Sequence, residues 1–277
     1  LQSRAGGEGG EETAMDQASI AGAGRSASVQ VKADEPWEWL AAGWRDMLRA
    51  PYVSLAYGGA FAIVSVVLTT CLFLIDLMYL LFPLGAGFML VGPMLAVGLY
   101  EASPRLELDE PVTLADVAFV VTRSPAQLAM LGALLTLLLL FWVRLATLVY
   151  ALFFGLSAFP GFEESVRMLI FTPEGLAMLA VGSVLGGVLA VAVFAISAFS
   201  VPILMTRDVD VITAILESVK AVRDNFWPMV VWAWLIAMLT IFGIATLFVG
   251  LAITFPLIGH ATWHAYRRVI GDGPEAG

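Results

Sequence analysis

From residue 36 to residue 270 the chain alternates between long charge-free apolar runs and short polar stretches. A membrane helix needs about 20 apolar residues to cross a hydrocarbon core of roughly 30 Å, and the runs have that size. One lies between Arg49 and Asp76. A second follows up to Glu101, after a turn around Pro83. The third opens with "AQLAMLGALLTLLLLFWV", passes Arg144 and continues to Phe162, and the fourth lies between Glu174 and Arg207. The last, between Asp224 and Arg267, holds 42 residues without a carboxylate or a fixed positive charge. As one helix it would be about 63 Å long, so it is predicted as two spans with a turn near Gly243–Gly250. The pattern predicts an all-α membrane protein with six transmembrane helices.

Each odd-numbered span follows a short amphipathic stretch. In "PWEWLAAGWRDMLRAP" the residues Trp37, Leu40, Trp44, Met47 and Leu48 recur at helical spacing, opposite Glu38, Arg45, Asp46 and Arg49. "PVTLADVAFVVTRSP" places Leu114, Val117 and Val121 on one face, with Thr113 and Asp116 at capping-box positions. "DVDVITAILESVKAVRDNFWP" does the same with Val211, Ile215, Val219, Val222 and Phe226. The even spans share a late proline: Pro93, Pro202 and Pro256. Sliding the first unit onto the third aligns Gly87 with Gly250, Pro93 with Pro256, Glu101 with His264 and Arg105 with Arg268. The chain is therefore expected to hold three pseudo-repeats of an interfacial helix plus a helix pair. Basic residues orient them, because cytoplasmic loops hold the excess of Lys and Arg. With the N-terminus inside, twelve basic residues fall on the cytoplasmic side and only Arg167 outside. Both termini are expected to be cytoplasmic.

Composition agrees: 60% of the 277 residues are hydrophobic and 13% charged, against roughly a half and a quarter in a soluble domain. The net charge of −9 comes from the N-terminal tail and short loops such as "ELDE", which argues against nucleic acid as a partner. Residues 1–35 have no apolar periodicity and read as a disordered tail, as do residues 271–277; the domain is expected at 36–270. The tail has no hydrophobic core of the secretory kind, and Met15 is a candidate natural start. Cys71 is the only cysteine, so internal disulfides and Cys-based zinc sites are excluded. Its apolar setting suggests packing.

The candidate chemistry is sparse. His260 and His264, the only histidines, lie four apart in "FPLIGHATWHAYRRVIG" and share a helix face. The spacing could offer two metal ligands, but no Glu intervenes as in a zincin helix and no cysteine completes a set. Two axial haem ligands so placed would meet the iron from one side. They are read as a cytoplasmic-boundary cluster, with Trp263 and Tyr266 in the aromatic belt and Glu101 as a nearby partner. Arg144, charged within a span, is expected to pair with Asp76 at the outer end of the first span. Gly182, Gly186 and Ala190 form a small-residue ridge suited to close helix packing, within the bundle or between two copies. No Walker motif, nucleophile elbow or dinucleotide loop is present, so no catalytic residue and no cofactor is assigned.

The stretches "PWEWLAAGWRDMLRAPYVSLAYG", "VGPMLAVGLYEASPRLE" and "FPLIGHATWHAYRRVI" resemble the domain-of-unknown-function 2189 family of bacterial integral membrane proteins, over roughly residues 36–270. The last is the most specific. Some members of that family are labelled cytochrome c oxidase subunit I, which two histidines cannot satisfy, since a haem–copper centre needs six. The resemblance implies at most an accessory protein near respiratory complexes of a bacterial inner membrane. The expected function is non-enzymatic: a scaffold, accessory or assembly factor whose partners are the lipid bilayer and a membrane protein such as a respiratory complex. The alternative is a small transporter or channel with Gly/Pro-rich gating helices.

Overall fold

The computed structural model describes residues 31–155 and 161–271. Most of the two expected tails, with Met15, lies outside them. Among the described residues every regular element is helical.

Prolines and short polar side chains set the boundaries. α1 (Glu35–Arg49) has Pro36 in its first turn and α2 (Pro51–Leu74) starts on proline, where the missing N–H has no helical partner to lose. A left-handed turn at Asp76, φ 57°, and a 3₁₀ turn at Met78–Leu80 lead to α3 (Leu81–Leu95). That helix breaks at Ala96, within a turn of Pro93, and α4 (Val97–Glu107) continues. α5 (Leu114–Ala118) opens with the expected capping box of Thr113 and Asp116. α6 (Pro125–Phe154) is followed by α7 (Phe162–Phe171) and by α8 (Pro173–Ser197), capped by Thr172. A second break at Phe199, ahead of Pro202, gives α9 (Ser200–Thr206). Asp210 caps α10 (Val211–Asp224) through two backbone amides. α11 (Phe226–Ala245) and α12 (Leu251–Ile270) complete the chain, with Pro256 inside an unbroken α12 and Gly271 closing it at φ 83°.

Among the described residues five stretches are long and apolar enough to cross a membrane: Pro51–Leu74, Met78–Leu95, Pro125–Phe154, Pro173–Thr206 and Phe226–Ala245. The protein is a multi-pass integral membrane protein. The expected turn between the last two helices is present at 246–250. The sixth expected span is not among the five. α12 is apolar only from Leu251 to Ile258, and then carries His260, His264, Arg267 and Arg268.

α12 is the hub of one packing group, lying against α1, α2, α4 and α11. It lies so close that Gly43 and Gly58 abut the backbone of Ala261 and Ala252. α6 organises the other group, against α3 and α8. The groups join where Arg123 and Ser124 donate backbone bonds to Met205 and Leu204 and Thr206 bonds Tyr266. One expectation needs correction here. α1 was read as a surface helix with one apolar face, but it has two: Trp39 and Met47 are buried, while Trp37, Trp44 and Leu48 are exposed. Ahead of α1 the Val31 N–H donates to Asn225 Oδ1 at 3.0 Å, which ties the start of the described chain to the end of α10.

Candidate functional site

The polar chemistry converges on the second half of α12. His260 is fully enclosed between α2 and α4, with Ser54 Oγ 3.0 Å from its Nε2 and Ser103 Oγ 2.8 Å from its Nδ1. One neutral ring supplies one donor and one acceptor, and a hydroxyl can complement either. A turn later, His264 Nε2 lies 2.8 Å from Asp46 Oδ2, and its Nδ1 is 3.6 Å from Glu107 Oε1. Glu107 also accepts from Arg267 at 2.6 Å and from Trp263 Nε1 at 3.3 Å. At the end of the helix Arg268 donates twice to Glu35, at 2.5 and 3.0 Å. Those bonds hold the Glu35 carboxyl below its ordinary value, against the opposing effect of burial.

These contacts revise the expected boundary cluster. His260, Trp263 and Tyr266 do not face headgroups; all three are buried, because α1, α2 and α4 close over them. Glu101, expected beside His264, instead accepts from Arg105 four residues on at 2.8 Å; Glu107 and Asp46 take its place. The repeat alignment found the right helix and missed by about two turns. Ser54 and Ser103 carried no sequence signal at all, since 206 and 157 positions separate them from His260. A serine beside a histidine suggests a nucleophile. Here both ring nitrogens meet serines, no carboxylate orients the ring, and all three side chains are fully enclosed. The group is a hydrogen-bonded strut joining three helices.

The second feature is a cavity of about 820 Å³ between α3, α6, α7 and α8. It contains the small-residue ridge expected to pack helices. Gly182 faces open space, and Ala190 lines the same cavity. Of the two glycines only Gly186 receives a neighbour, the indole of Trp142, whose Nε1–H donates to Pro83 O at 2.9 Å. A small-residue ridge permits close approach without compelling it, and close approach occurs instead at Gly43 and Gly58. Arg144 lies on the exposed side of α6, and among the described residues no ion pair joins it to Asp76. α6 takes α3 as its neighbour at that level, which turns Arg144 outward. Cys71, expected to be packed, is exposed on α2.

Comparison with known families places the middle of this fold. Residues 81–206 match the family model described as predicted integral membrane protein (DUF2189). The match runs from the first residue of α3 to the last of α9. It is the family whose resemblance the sequence shows, over a shorter stretch than 36–270 and without the C-terminal motif. No curated protein and no solved structure matches the chain. DUF2189 names a membrane protein without naming an activity, so function rests on geometry.

Proposed function

We propose that the protein is a non-enzymatic scaffold, accessory or assembly factor of a bacterial inner membrane, with a membrane protein such as a respiratory complex as candidate partner. One observation carries this reading: where the charge is spent. Glu35, Asp46, Glu107, His264, Arg267 and Arg268 engage one another around α12, whereas the five apolar stretches contain only Arg144 and Glu174 as charged residues. Such a distribution supports a rigid polar platform on one side and no ion path across. The twelve-to-one bias of basic residues supports cytoplasmic termini. The breaks near Pro93 and Pro202 support the repeated unit.

The test is purification in mild detergent followed by identification of what stays bound. A membrane protein recovered in fixed ratio is expected. The transporter reading draws on the 820 Å³ cavity, whose apolar lining would suit an apolar cargo. Solute flux through the purified protein alone, reconstituted in liposomes, would replace the scaffold reading with that one.

A further inference from the structure

The α11–α12 hairpin lies in the longest charge-free run of the chain, and its depth can be read from its neighbours. Trp232 in α11 meets Trp39 of the amphipathic α1 edge-on, with ring centroids 5.8 Å apart. The first turns of α11 therefore lie level with the polar layer. On the other arm, everything from His260 onward packs in that same layer. Only Leu251–Ile258 remains to enter the hydrocarbon, about 12 Å of helix at 1.5 Å per residue. Ala252 lies against Gly58 in α2, and the Phe255 ring meets Phe61 at a tilt of 44° with centroids 4.4 Å apart. From Gly58, α2 continues to Leu74, about 24 Å further. The five-residue turn at 246–250 can recover at most about 8 Å of that difference. The hairpin ends well short of the far end of α2.

The turn itself is unlike one built for water. It reads "TLFVG", and Leu247 and Val249 are 79% and 70% exposed. Leu247 and Phe248 hold φ of 55° and 68°, a region that costs a branched or bulky L-residue roughly 1–2 kcal/mol and that an aqueous turn fills with Gly or Asn. The backbone turns its polarity inward. The amides of Thr246, Phe248, Val249, Leu251 and Ala252 bond carbonyls within the hairpin, and Gly250 N–H donates to Thr246 Oγ1 at 2.9 Å. Thr246 Oγ1 itself shares its one proton between the Phe242 and Gly243 carbonyls. Hydrocarbon imposes both properties, since an unsatisfied backbone group there costs several kcal/mol. From Thr246 to Ala252 only the Leu247 N–H makes no such bond, and an apolar tip with so few spare amides belongs in lipid.

We infer that α11 and α12 form a re-entrant hairpin that enters and leaves the bilayer on the side of α1, with Leu247–Val249 in contact with lipid acyl chains near mid-membrane. The fold then has four full crossings and one half-depth insertion, and its termini stay on one side. The two arms of α12 have separate tasks: Leu251–Ile258 holds the tip at depth, and Gly259–Ile270 anchors it to α1, α2 and α4.

Cysteine accessibility tests this directly. Cys71 is replaced by serine, and single cysteines are placed at Leu247, Val249, Asp76 and Glu110, all on exposed positions. Sealed vesicles of both orientations are treated with a membrane-impermeant maleimide. Asp76→Cys and Glu110→Cys should label from opposite faces and so define the two sides. Leu247→Cys and Val249→Cys should label from neither face, yet react fully after denaturation in detergent. In the same variants carrying a nitroxide, collision with oxygen should exceed collision with a water-soluble nickel chelate, as for a site deep in hydrocarbon. Labelling of Leu247→Cys from the Asp76 face would show a full crossing and overturn the inference. Labelling from the Glu110 face, or a nitroxide shielded from oxygen and nickel alike, would overturn it too, since either places the tip outside lipid.

Discussion

Glu35 is only 7% exposed, whereas its partner Arg268 has about half of its side chain in solvent. That asymmetry makes the two truncations unequal. Arg268→Leu leaves a buried carboxylate without its strongest donors and should cost about 1–3 kcal/mol; Glu35→Gln leaves an arginine that can turn to water and should cost less. Thermal unfolding in detergent would rank them, and equal losses would mean that the pair does not hold α12. The pH dependence has a definite sign. Because Arg268 lowers the folded-state value, Glu35 contributes stability above its ordinary value of 4.5 and loses it as pH falls below. The wild type should therefore lose more stability on acidification than Arg268→Leu. The serines flanking His260 make a quieter prediction: Ser54→Ala and Ser103→Ala should cost about 1 kcal/mol each. A fluorophosphonate probe should leave both serines unlabelled, since neither is reachable in the folded protein. Arg144→Leu should shift stability by no more than about 0.5 kcal/mol, and combining it with Asp76→Leu should be additive, because the two side chains do not meet. The sequence showed that Arg144 was unusual. Which way it faced depended on α3 packing against α6, and no spacing along the chain contains that.

At the level of elements, apolar run lengths and prolines foretold most of the helices. Pro51, Pro125 and Pro173 each begin one, and the Thr113/Asp116 box opens another. α12 was the least legible. A charge-free run cannot reveal that its last eight residues, Gly259–Tyr266, are wanted by other helices, because histidine, tryptophan and tyrosine read equally well as a membrane boundary. The glycines failed for a related reason. Gly182 was chosen for its spacing to Gly186, yet a methyl there meets nothing within 4 Å. At Gly58 it would sit 2.3 Å from the Ala252 carbonyl oxygen. Gly58→Ala should accordingly destabilise the α2–α12 contact by at least about 1–3 kcal/mol, while Gly182→Ala should be neutral or slightly stabilising through helix propensity. Comparing the melting temperatures of the two variants checks the assignment. A harmless Gly58→Ala would place α12 elsewhere.

The whole molecule is two helical groups joined along their polar layer, and its sidedness can be measured. Reporter fusions after Gly6 and Pro274 should report the same compartment, the cytoplasm, and one at Gly161 the opposite compartment. Opposite results for the two ends would refute the hairpin as well as the orientation. The clamp around α12 also bears on how such a chain is made. Glu35 and Arg268 are separated by 233 positions, so at about 5–20 residues per second α1 waits roughly 10–50 s for its partner to be synthesised. During that interval the carboxylates of Glu35 and Asp46 and the glycine faces of α1 and α2 stand uncovered beside the membrane. Biogenesis of this protein therefore has a vulnerable interval, in which an insertase or quality-control protease meets an inserted but unclosed intermediate. Chains ending at residue 250 would stay in that state, and their faster turnover in pulse-chase would expose it.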